Sequence, residues 1–371
     1  MSTASHAMQA TLEREVEMFL KKSPRPVLRG AVVSGGNRFD FSYGSDEHAA
    51  EPVFEIGSFG KTFTTTLLSM LVSEGVVSLD DPLSRFRPRY AFSDRVTLSD
   101  LACHGSGLPS NPLPLHKMMF GATRRMAAFS KEDLDDFLCK RFARAPETGR
   151  FNYSNPGMAL LGHVLADCLG TSFEQAVTKR ILEPLGMTET RIDPESYPVD
   201  RLLAGHNARG RAVSAFDWPG MEPAGLWRST VPDMLRFLGA QAGLGGSSWA
   251  ELARSMVRPL VKAGSELDIG LGWMLSPLEG LGTFAWHNGG TFGQHAVGGW
   301  LIDHEAAVVI LTNQRPPLWH HLVASRRLED LAEKLVAMAV GDACGETRRL
   351  HCDETERDLE AVHEAPGCHR P

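Results

Sequence analysis

Sequence patterns that are typical of β-strands lie near both ends of the 371-residue chain, and helical patterns fill the stretch between them. Near the amino terminus, two strand-like runs flank the turn signal Gly35–Gly36–Asn37. Further strand-like runs follow one another late in the chain, at 270–275, 283–290, 296–303 and 306–313. Strands that are this far apart in sequence pair most simply into one antiparallel sheet assembled from both chain ends.

Apolar residues at helical spacing predict helices that flank this sheet, including helices at 8–22 and 322–340. The expected fold class is therefore α+β, an antiparallel sheet flanked by helices with a mainly helical domain inserted at 81–220. We expect the sheet domain to comprise residues 8–80 and 221–340. The polar stretch 341–371 is expected to be a flexible tail.

Composition and charge narrow the class of function. A net charge of −7 gives no basic field for nucleic acid or an anionic membrane. The first residues lack an apolar core of signal-peptide length, and no run is long enough to span a membrane, so a cytoplasmic protein is expected. The six cysteines show no C-x-x-C pairing and would be free thiols, and the Cys and His residues of the tail match no zinc spacing. We therefore expect no metal or other cofactor.

The motif Ser58-x-x-Lys61 begins an apolar helical run. Residues three apart share a helix face, so Ser58 Oγ and Lys61 Nζ would meet there. A neutral Lys61 could take the serine proton, provided that burial or nearby cations lower its pKa by roughly three units from about 10.4. Chance alone gives about 0.7 such motifs in a chain of this composition, so an ordinary helix start is the alternative.

A second motif, Tyr153-x-Asn155, is rarer, since about 0.08 matches are expected by chance. A tyrosine beside a cationic lysine could be acidified and act as general base and then as general acid. The Asn155 amide offers a donor and an acceptor to an ester or amide substrate. The alternative is an Asx-type turn before Pro156, with Tyr153 in the core.

A third motif, His287–Asn288–Gly289–Gly290, ends a strand-like run in paired glycines. Glycine lets a backbone come close to a ligand, and the N–H of Gly290 could complete an oxyanion hole with the N–H of Ser58. The alternative is a glycine turn in which His287 is a buried, hydrogen-bonded histidine. His104–Gly107 is interpreted as a structural turn.

In this order the three motifs resemble the serine β-lactamase-like superfamily, in particular the class C β-lactamases, the DD-peptidases and the related esterases and amidases. The resemblance extends over roughly residues 25–340 and includes "SLDDPLSRFRP", "VTLSDLACHGSGLP" and "EPLGMTET". It implies a covalent mechanism in which Ser58 attacks a carbonyl, and Lys61 and Tyr153 transfer the proton. It also implies an oxyanion hole formed by the N–H groups of Ser58 and Gly290. The residues that it implies for substrate binding are Asn155, His287, Asn288 and Gly289.

The chain departs from that family where lactamases and DD-peptidases carry K-T-G, because His287 takes the place of the lysine. A histidine is mostly neutral at pH 7, so it supplies less charge to a substrate carboxylate. This disfavours β-lactams and favours the esterase, amidase and peptidase branch. Arg315 either replaces the missing cation or is simply solvated.

The expected function is therefore acyl transfer from a small ester, amide or thioester metabolite. The expected partners are this small-molecule acyl donor and either water or an amine as acceptor, and the sequence does not decide between the two acceptors. A catalytically silent relative that binds a ligand or regulates another protein is the alternative from a different class. Metal-dependent hydrolysis by the tail is a third.

Overall fold

A computed structural model describes residues 3–20, 27–44, 51–112, 122–141, 147–315 and 327–341. The strands are β1 (Leu28–Ser34), β2 (Asn37–Tyr43), β3 (Phe54–Glu55), β4 (Arg228–Ser229), β5 (Val261–Lys262), β6 (Asp268–Ile269), β7 (Met274–Leu278), β8 (Gly282–Gly290), β9 (His295–Leu301) and β10 (Ala306–Thr312). Eight of them form one antiparallel sheet in the order β2-β1-β10-β9-β8-β7-β6-β5, and β3 pairs with β4. Because β1 lies between β2 and β10, both chain ends build the sheet, and the expected fold class is confirmed.

The helices are α1 (Thr3–Leu20), α2 (Lys61–Ser73), α3 (Leu98–Ala102), α4 (Ala122–Ala127), α5 (Lys131–Arg141), α6 (Asn155–Leu169), α7 (Phe173–Val177), α8 (Val231–Gln241), α9 (Trp249–Met256) and α10 (328–341). Single helical turns lie at Gly57–Gly60, Leu83–Arg85, Thr178–Leu182, Pro194–Ser196, Val199–Arg201, Glu222–Ala224 and Leu244–Gly246. The helices α3 to α7 fall between the strands of the two chain ends, as the sequence pattern predicts.

Helices cover both faces of the sheet because its central strands are apolar on both sides. In a strand, successive side chains point to opposite faces. On β10, Val309 and Leu311 belong to the core that includes α2 and α8. Val308 and Ile310 belong to a second core with α1 and α10. The sheet is therefore the middle layer between two sets of helices.

Two expectations about strands and turns have different outcomes. Gly35 and Gly36 connect β1 to β2 with φ values of +55° and +81°, so the hairpin turn predicted there is confirmed. The strand predicted at 270–275 is wrong, because β7 begins only at Met274. The reason is Gly272, whose φ of +72° breaks the extended chain just before Met274.

The domain boundaries at 80/81 and 220/221 stay a prediction. The expectations for the tail, including its Cys and His residues, concern positions after 341, which lie outside the described residues. Within the described ranges, none of the helices is both long enough and apolar enough to cross a membrane.

Candidate active site

Ser58 lies on the single helical turn Gly57–Gly60, between the end of β3 and the start of α2 at Lys61. β3 is held in place by its pairing with β4. Gly57 adopts a φ of +51°, a conformation that favours glycine and lets the chain turn from the strand into the helix. Ser58 is therefore held at the amino-terminal end of α2, where the helix dipole favours developing negative charge.

The end of β8 passes so close to this turn that only glycine fits. A Cβ atom on Gly289 would lie 1.8 Å from the carbonyl oxygen of Ile56, and one on Gly57 would lie 2.9 Å from the nitrogen of Gly290. Ser58 and Gly290 line the same cavity. The paired glycines thus bring together the two backbone segments that carry the N–H groups of the expected oxyanion hole.

Lys61 is completely buried, and its Nζ atom lies 2.7 Å from Ser58 Oγ and 2.5 Å from the carbonyl oxygen of Ala224. Burial lowers the pKa of Lys61 well below its ordinary value. Among the described residues, none forms an ion pair with Lys61 that would oppose this effect. Since a carbonyl oxygen only accepts, a neutral Lys61 donates to Ala224 and keeps a lone pair for the hydroxyl of Ser58.

Tyr153 contacts both Ser58 and Lys61. Its hydroxyl is hydrogen-bonded to Ser58, and its ring centroid lies 5.0 Å from Lys61 Nζ. Desolvation raises the pKa of the phenol, and the bond to Ser58 offsets only part of this effect. The interpretation of Tyr153 as a phenol acidified by a lysine cation is therefore wrong, and of the two candidate bases the structure favours Lys61.

Asn155 is the first residue of α6, but the cap of this helix is Ser154, whose hydroxyl accepts from the N–H of Gly157 at 3.0 Å. The half-buried Asn155 amide therefore serves another purpose. Its Nδ2 donates to Asn111 Oδ1 at 2.9 Å and to the carbonyl of Ser110 at 3.1 Å. Because Asn155 also lines the cavity beside Ser58, it is in place to contact a substrate.

His287 is 1% exposed, and its ring stacks on Phe59 with the centroids 6.4 Å apart. Its Nδ1 lies 2.5 Å from the carbonyl oxygen of Asn288, so Nδ1 carries the proton and Nε2 the lone pair. Burial, followed by the charge of Lys61, lowers the pKa of His287 to about 3. The ring is thus neutral at physiological pH, and position 287 supplies no cation.

Asn288 lies on the opposite face of β8 from His287 and Gly289. Its Nδ2 donates to the carboxylate of Glu329 on α10, behind the sheet. A strand alternates its side chains, so two neighbouring residues cannot both face the nucleophile. The prediction that the side chain of Asn288 binds substrate is therefore wrong.

Replacing Asn288 with alanine should leave kcat/KM within about threefold of the native value, because the side chain does not reach the cavity. The variant should nevertheless lose stability, since the buried Glu329 loses a hydrogen-bond partner at a cost of about 1–3 kcal/mol. Kinetics with an activated ester and thermal unfolding measure the two effects. A large loss of kcat/KM at unchanged Tm would show that Asn288 contacts the substrate after all.

His104 is part of the site and was missed in the sequence, where it was interpreted as a turn residue. Its φ of +59° is strained for a residue with a side chain, and its ring centroid lies 4.4 Å from that of Tyr153. Nδ1 accepts from the N–H of Ser154 at 3.2 Å, and Nε2 has no partner within the described part of the chain. Burial, with lesser contributions from Lys61 and His287, lowers its pKa well below the ordinary value. No local sequence signal distinguishes this residue from an ordinary turn.

The cavity beside Ser58 measures about 250 Å³ and has a mainly apolar wall. Arg315 also lines it, exposed at its edge, where a guanidinium N–H donates to the carbonyl oxygen of Thr291 at 3.3 Å. Two larger cavities, of about 690 and 520 Å³, have linings that do not include Ser58. The described residues hold no group of three or more potential ligands that could bind a metal ion.

A family model described as Beta-lactamase matches residues 15–333. The chain belongs to the beta-lactamase family. The resemblance that the three ordered motifs carried is thereby confirmed.

Relatives of this chain have names that describe different activities. A "Beta-lactamase" of Lysobacter lactamgenus is 27% identical over 250 residues, which cover 63% of this chain and 60% of the relative. The D-alanyl-D-alanine-carboxypeptidase/endopeptidase AmpH of Escherichia coli (strain K12) is 28% identical over 220 residues, which cover 56% of this chain and 55% of the relative. This chain therefore spans 60% or less of the length of these two relatives.

The solved structure of a class C beta-lactamase matches with a TM-score of 0.74 at 21% identity, covering 89% of this chain and 96% of that one. At this identity the likeness shows the fold alone. The choice among the activities of the beta-lactamase family therefore depends on the site.

Proposed function

We propose that this member of the beta-lactamase family is a serine-dependent acyl-transfer enzyme. Ser58 attacks the carbonyl carbon of a small ester, amide or thioester, an acyl-enzyme forms, and the acyl group passes to water or to an amine. The observation that carries the proposal is the completely buried Lys61 amine, 2.7 Å from Ser58 Oγ and lowered in pKa by its burial. A buried base beside a hydroxyl is the arrangement that activates a serine nucleophile.

In the first step the proton of Ser58 passes to Lys61 Nζ as the bond from Oγ to the carbonyl carbon forms. The carbonyl π electrons move onto the oxygen, and the N–H groups of Ser58 and Gly290 hold the resulting oxyanion. One such donor lowers the barrier by about 3–4 kcal/mol. Lys61 becomes a buried ammonium only transiently, because the proton moves on in the next step.

In the second step the tetrahedral intermediate collapses and the bond to the leaving group breaks. Tyr153 is protonated, since desolvation raises the pKa of its hydroxyl, and this hydroxyl is already hydrogen-bonded to Ser58. The phenol gives its proton to the leaving oxygen, nitrogen or sulfur and regains one from Lys61. The site then holds an acyl-enzyme, a neutral Lys61 and a protonated Tyr153. Water or an amine reverses these transfers to release the product.

The absence of charge on His287 supports an uncharged acyl donor rather than a β-lactam. A substrate carboxylate gains most from a fixed cation, and the pKa of His287, at about 3, keeps that ring uncharged at neutral pH. Arg315 lies at the exposed edge of the cavity and donates to the protein's own backbone. We therefore propose a small ester, amide or thioester as acyl donor.

Incubation with p-nitrophenyl acetate, followed by intact-mass measurement, tests the acyl-enzyme. We expect one added acetyl group, which peptide mapping places on Ser58, together with a burst of one equivalent of p-nitrophenol that precedes steady turnover. Repeating the reaction with a panel of amines identifies the acceptor, because an amide product grows with amine concentration only if the site binds the amine. A protein that neither takes up an acetyl group nor releases p-nitrophenol faster than buffer would be a binding module rather than an enzyme.

A further inference from the structure

The cavity beside Ser58 is walled by three aromatic side chains, and the central one, Phe216, contacts the other two edge to face. The ring centroid of Phe216 lies 6.2 Å from that of Trp218, with an interplanar angle of 88°, and 5.3 Å from that of Phe292, with an angle of 70°. Met126 and Met221 extend the same apolar wall. Aromatic rings prefer this edge-to-face geometry with a further ring, and thioethers pack favourably on ring edges.

A buried ion pair fixes this aromatic wall to β3, the strand that precedes Ser58. The carboxylate of Glu55 accepts from the N–H of Phe216 at 2.7 Å, and Arg228 donates to the carbonyl oxygen of Phe216 at 3.1 Å. The two charged groups lie 3.9 Å apart and are almost completely buried. Glu55 also accepts from the hydroxyl of Thr291, the residue that follows Gly290. One carboxylate therefore holds both the aromatic wall and the end of β8, and the pocket is formed before any ligand arrives.

The size of the cavity limits what it can hold. Its volume of about 250 Å³ is smaller than the 300–1,000 Å³ of pockets that hold drug-sized ligands. A six-membered ring on a short linker can add an edge-to-face contact to this wall, whereas an alkyl chain of equal carbon number has no ring with which to make one.

We propose that this pocket selects acyl donors with a compact aromatic acyl group, such as an arylacetyl ester, amide or thioester, and that Phe216 determines this specificity. The inference rests on the proposed function, because the acyl carbonyl must reach Ser58. The ring of the substrate packs on Phe216, Trp218 and Phe292, and the carbonyl lies between Ser58 Oγ and the N–H of Gly290.

The test compares p-nitrophenyl phenylacetate with p-nitrophenyl octanoate, which share a leaving group and have acyl groups of equal carbon number. We expect kcat/KM, corrected for the hydroxide-catalysed rate of each ester, to favour phenylacetate by at least about tenfold. Phe216→Leu should bring the ratio close to one. The matched control Phe86→Leu, a half-buried phenylalanine outside this cavity, should keep the native ratio. Equal turnover of both esters by the native protein, or an unchanged ratio in Phe216→Leu, would overturn the inference and leave the acyl-transfer function standing.

A binding measurement separates the pocket from the chemistry. In the Ser58→Ala protein, calorimetric titration should show phenylacetamide binding at least about tenfold more tightly than octanamide, which has the same number of carbon atoms. Equal affinities would overturn the arene preference even if the native protein hydrolyses esters. The expected preference in a protein that no ester acylates would support the arene pocket and contradict the proposed function.

Discussion

Ser58→Ala should abolish ester turnover, with kcat/KM falling by at least about 10⁴-fold to the level of the residual catalysis by the oxyanion hole and binding. The reason is that Ser58 Oγ is the atom that lies 2.7 Å from the buried Lys61 amine and that accepts the acyl group in the proposed mechanism. Steady-state kinetics with p-nitrophenyl acetate, at matched protein concentrations, measure the loss.

Ser73→Ala is the matched control, because Ser73 lies on the same helix as Lys61 but is exposed. It should retain native kcat/KM. Turnover that survives in the Ser58→Ala protein within tenfold of the native rate would show that another group performs the acyl transfer, and the assignment of the nucleophile would then be lost.

Lys61→Met should lower kcat/KM by about 10²–10⁴-fold, the usual contribution of a general base, while the protein stays folded. Methionine has a similar length and no charge, so it fits the buried position that Lys61 occupies. The hydroxyl of Ser58 then keeps its place but loses its proton acceptor. Kinetics with the same ester, together with circular dichroism, separate a lost base from a lost fold.

Lys61→Met should also change how the thermal stability of the protein depends on pH. Burial lowers the pKa of Lys61 in the folded protein below the ordinary 10.5, so at neutral pH folding costs the release of a proton. This cost is largest below the lowered pKa, falls as pH rises from there and disappears above 10.5. We therefore expect Lys61→Met to have an equal or higher Tm at pH 7, with the native protein gaining on the variant toward pH 10. Lys262→Met, at an exposed lysine, should show no such trend.

The features that the sequence predicted correctly depend on local spacing. Ser58 and Lys61 are three residues apart at a helix start, and they meet in the structure at 2.7 Å. The residues of β1 and β10 form alternating or continuous apolar patterns that are typical of strands. The pairing of these two strands into one sheet was therefore predicted from the sequence pattern. The paired glycines at 289 and 290 signalled a close backbone approach, and the structure has one.

The features that the sequence did not predict depend on tertiary placement. His104 is brought against Tyr153 by the packing of α3 and α6, to which no residue near His104 gives a clue. The direction of the pKa shift of Tyr153 depends on desolvation, which a linear motif does not encode. Asn288 is different, because the period of two in a strand separates it from His287. Because of this alternation, the side chains of residues 287–290 cannot all line one binding site.

The nitrogen bases around Ser58 share one property, which is that burial disfavours their charged forms. Lys61, His287 and His104 each have a pKa lowered by burial, so three nitrogen bases surround Ser58 and Tyr153 without a fixed positive charge. A permanently charged side chain at position 287, such as lysine, would raise the free-energy cost of protonating Lys61 during acylation. We infer that the histidine at this position keeps Lys61 a more effective proton acceptor and reduces the attraction for substrate carboxylates.

The pH dependence of the rate at which a fluorophosphonate labels Ser58 is the most direct measurement of whether the nearby lysine is a neutral base. The probe has no group that titrates in this range, so the profile reports the protein. A neutral Lys61 predicts a rate that rises with pH to a plateau well below the ordinary lysine pKa of 10.5, and a profile in Lys61→Met without this rise. A rate that continues to climb up to pH 10.5, or a rise that persists unchanged in Lys61→Met, would contradict the mechanism.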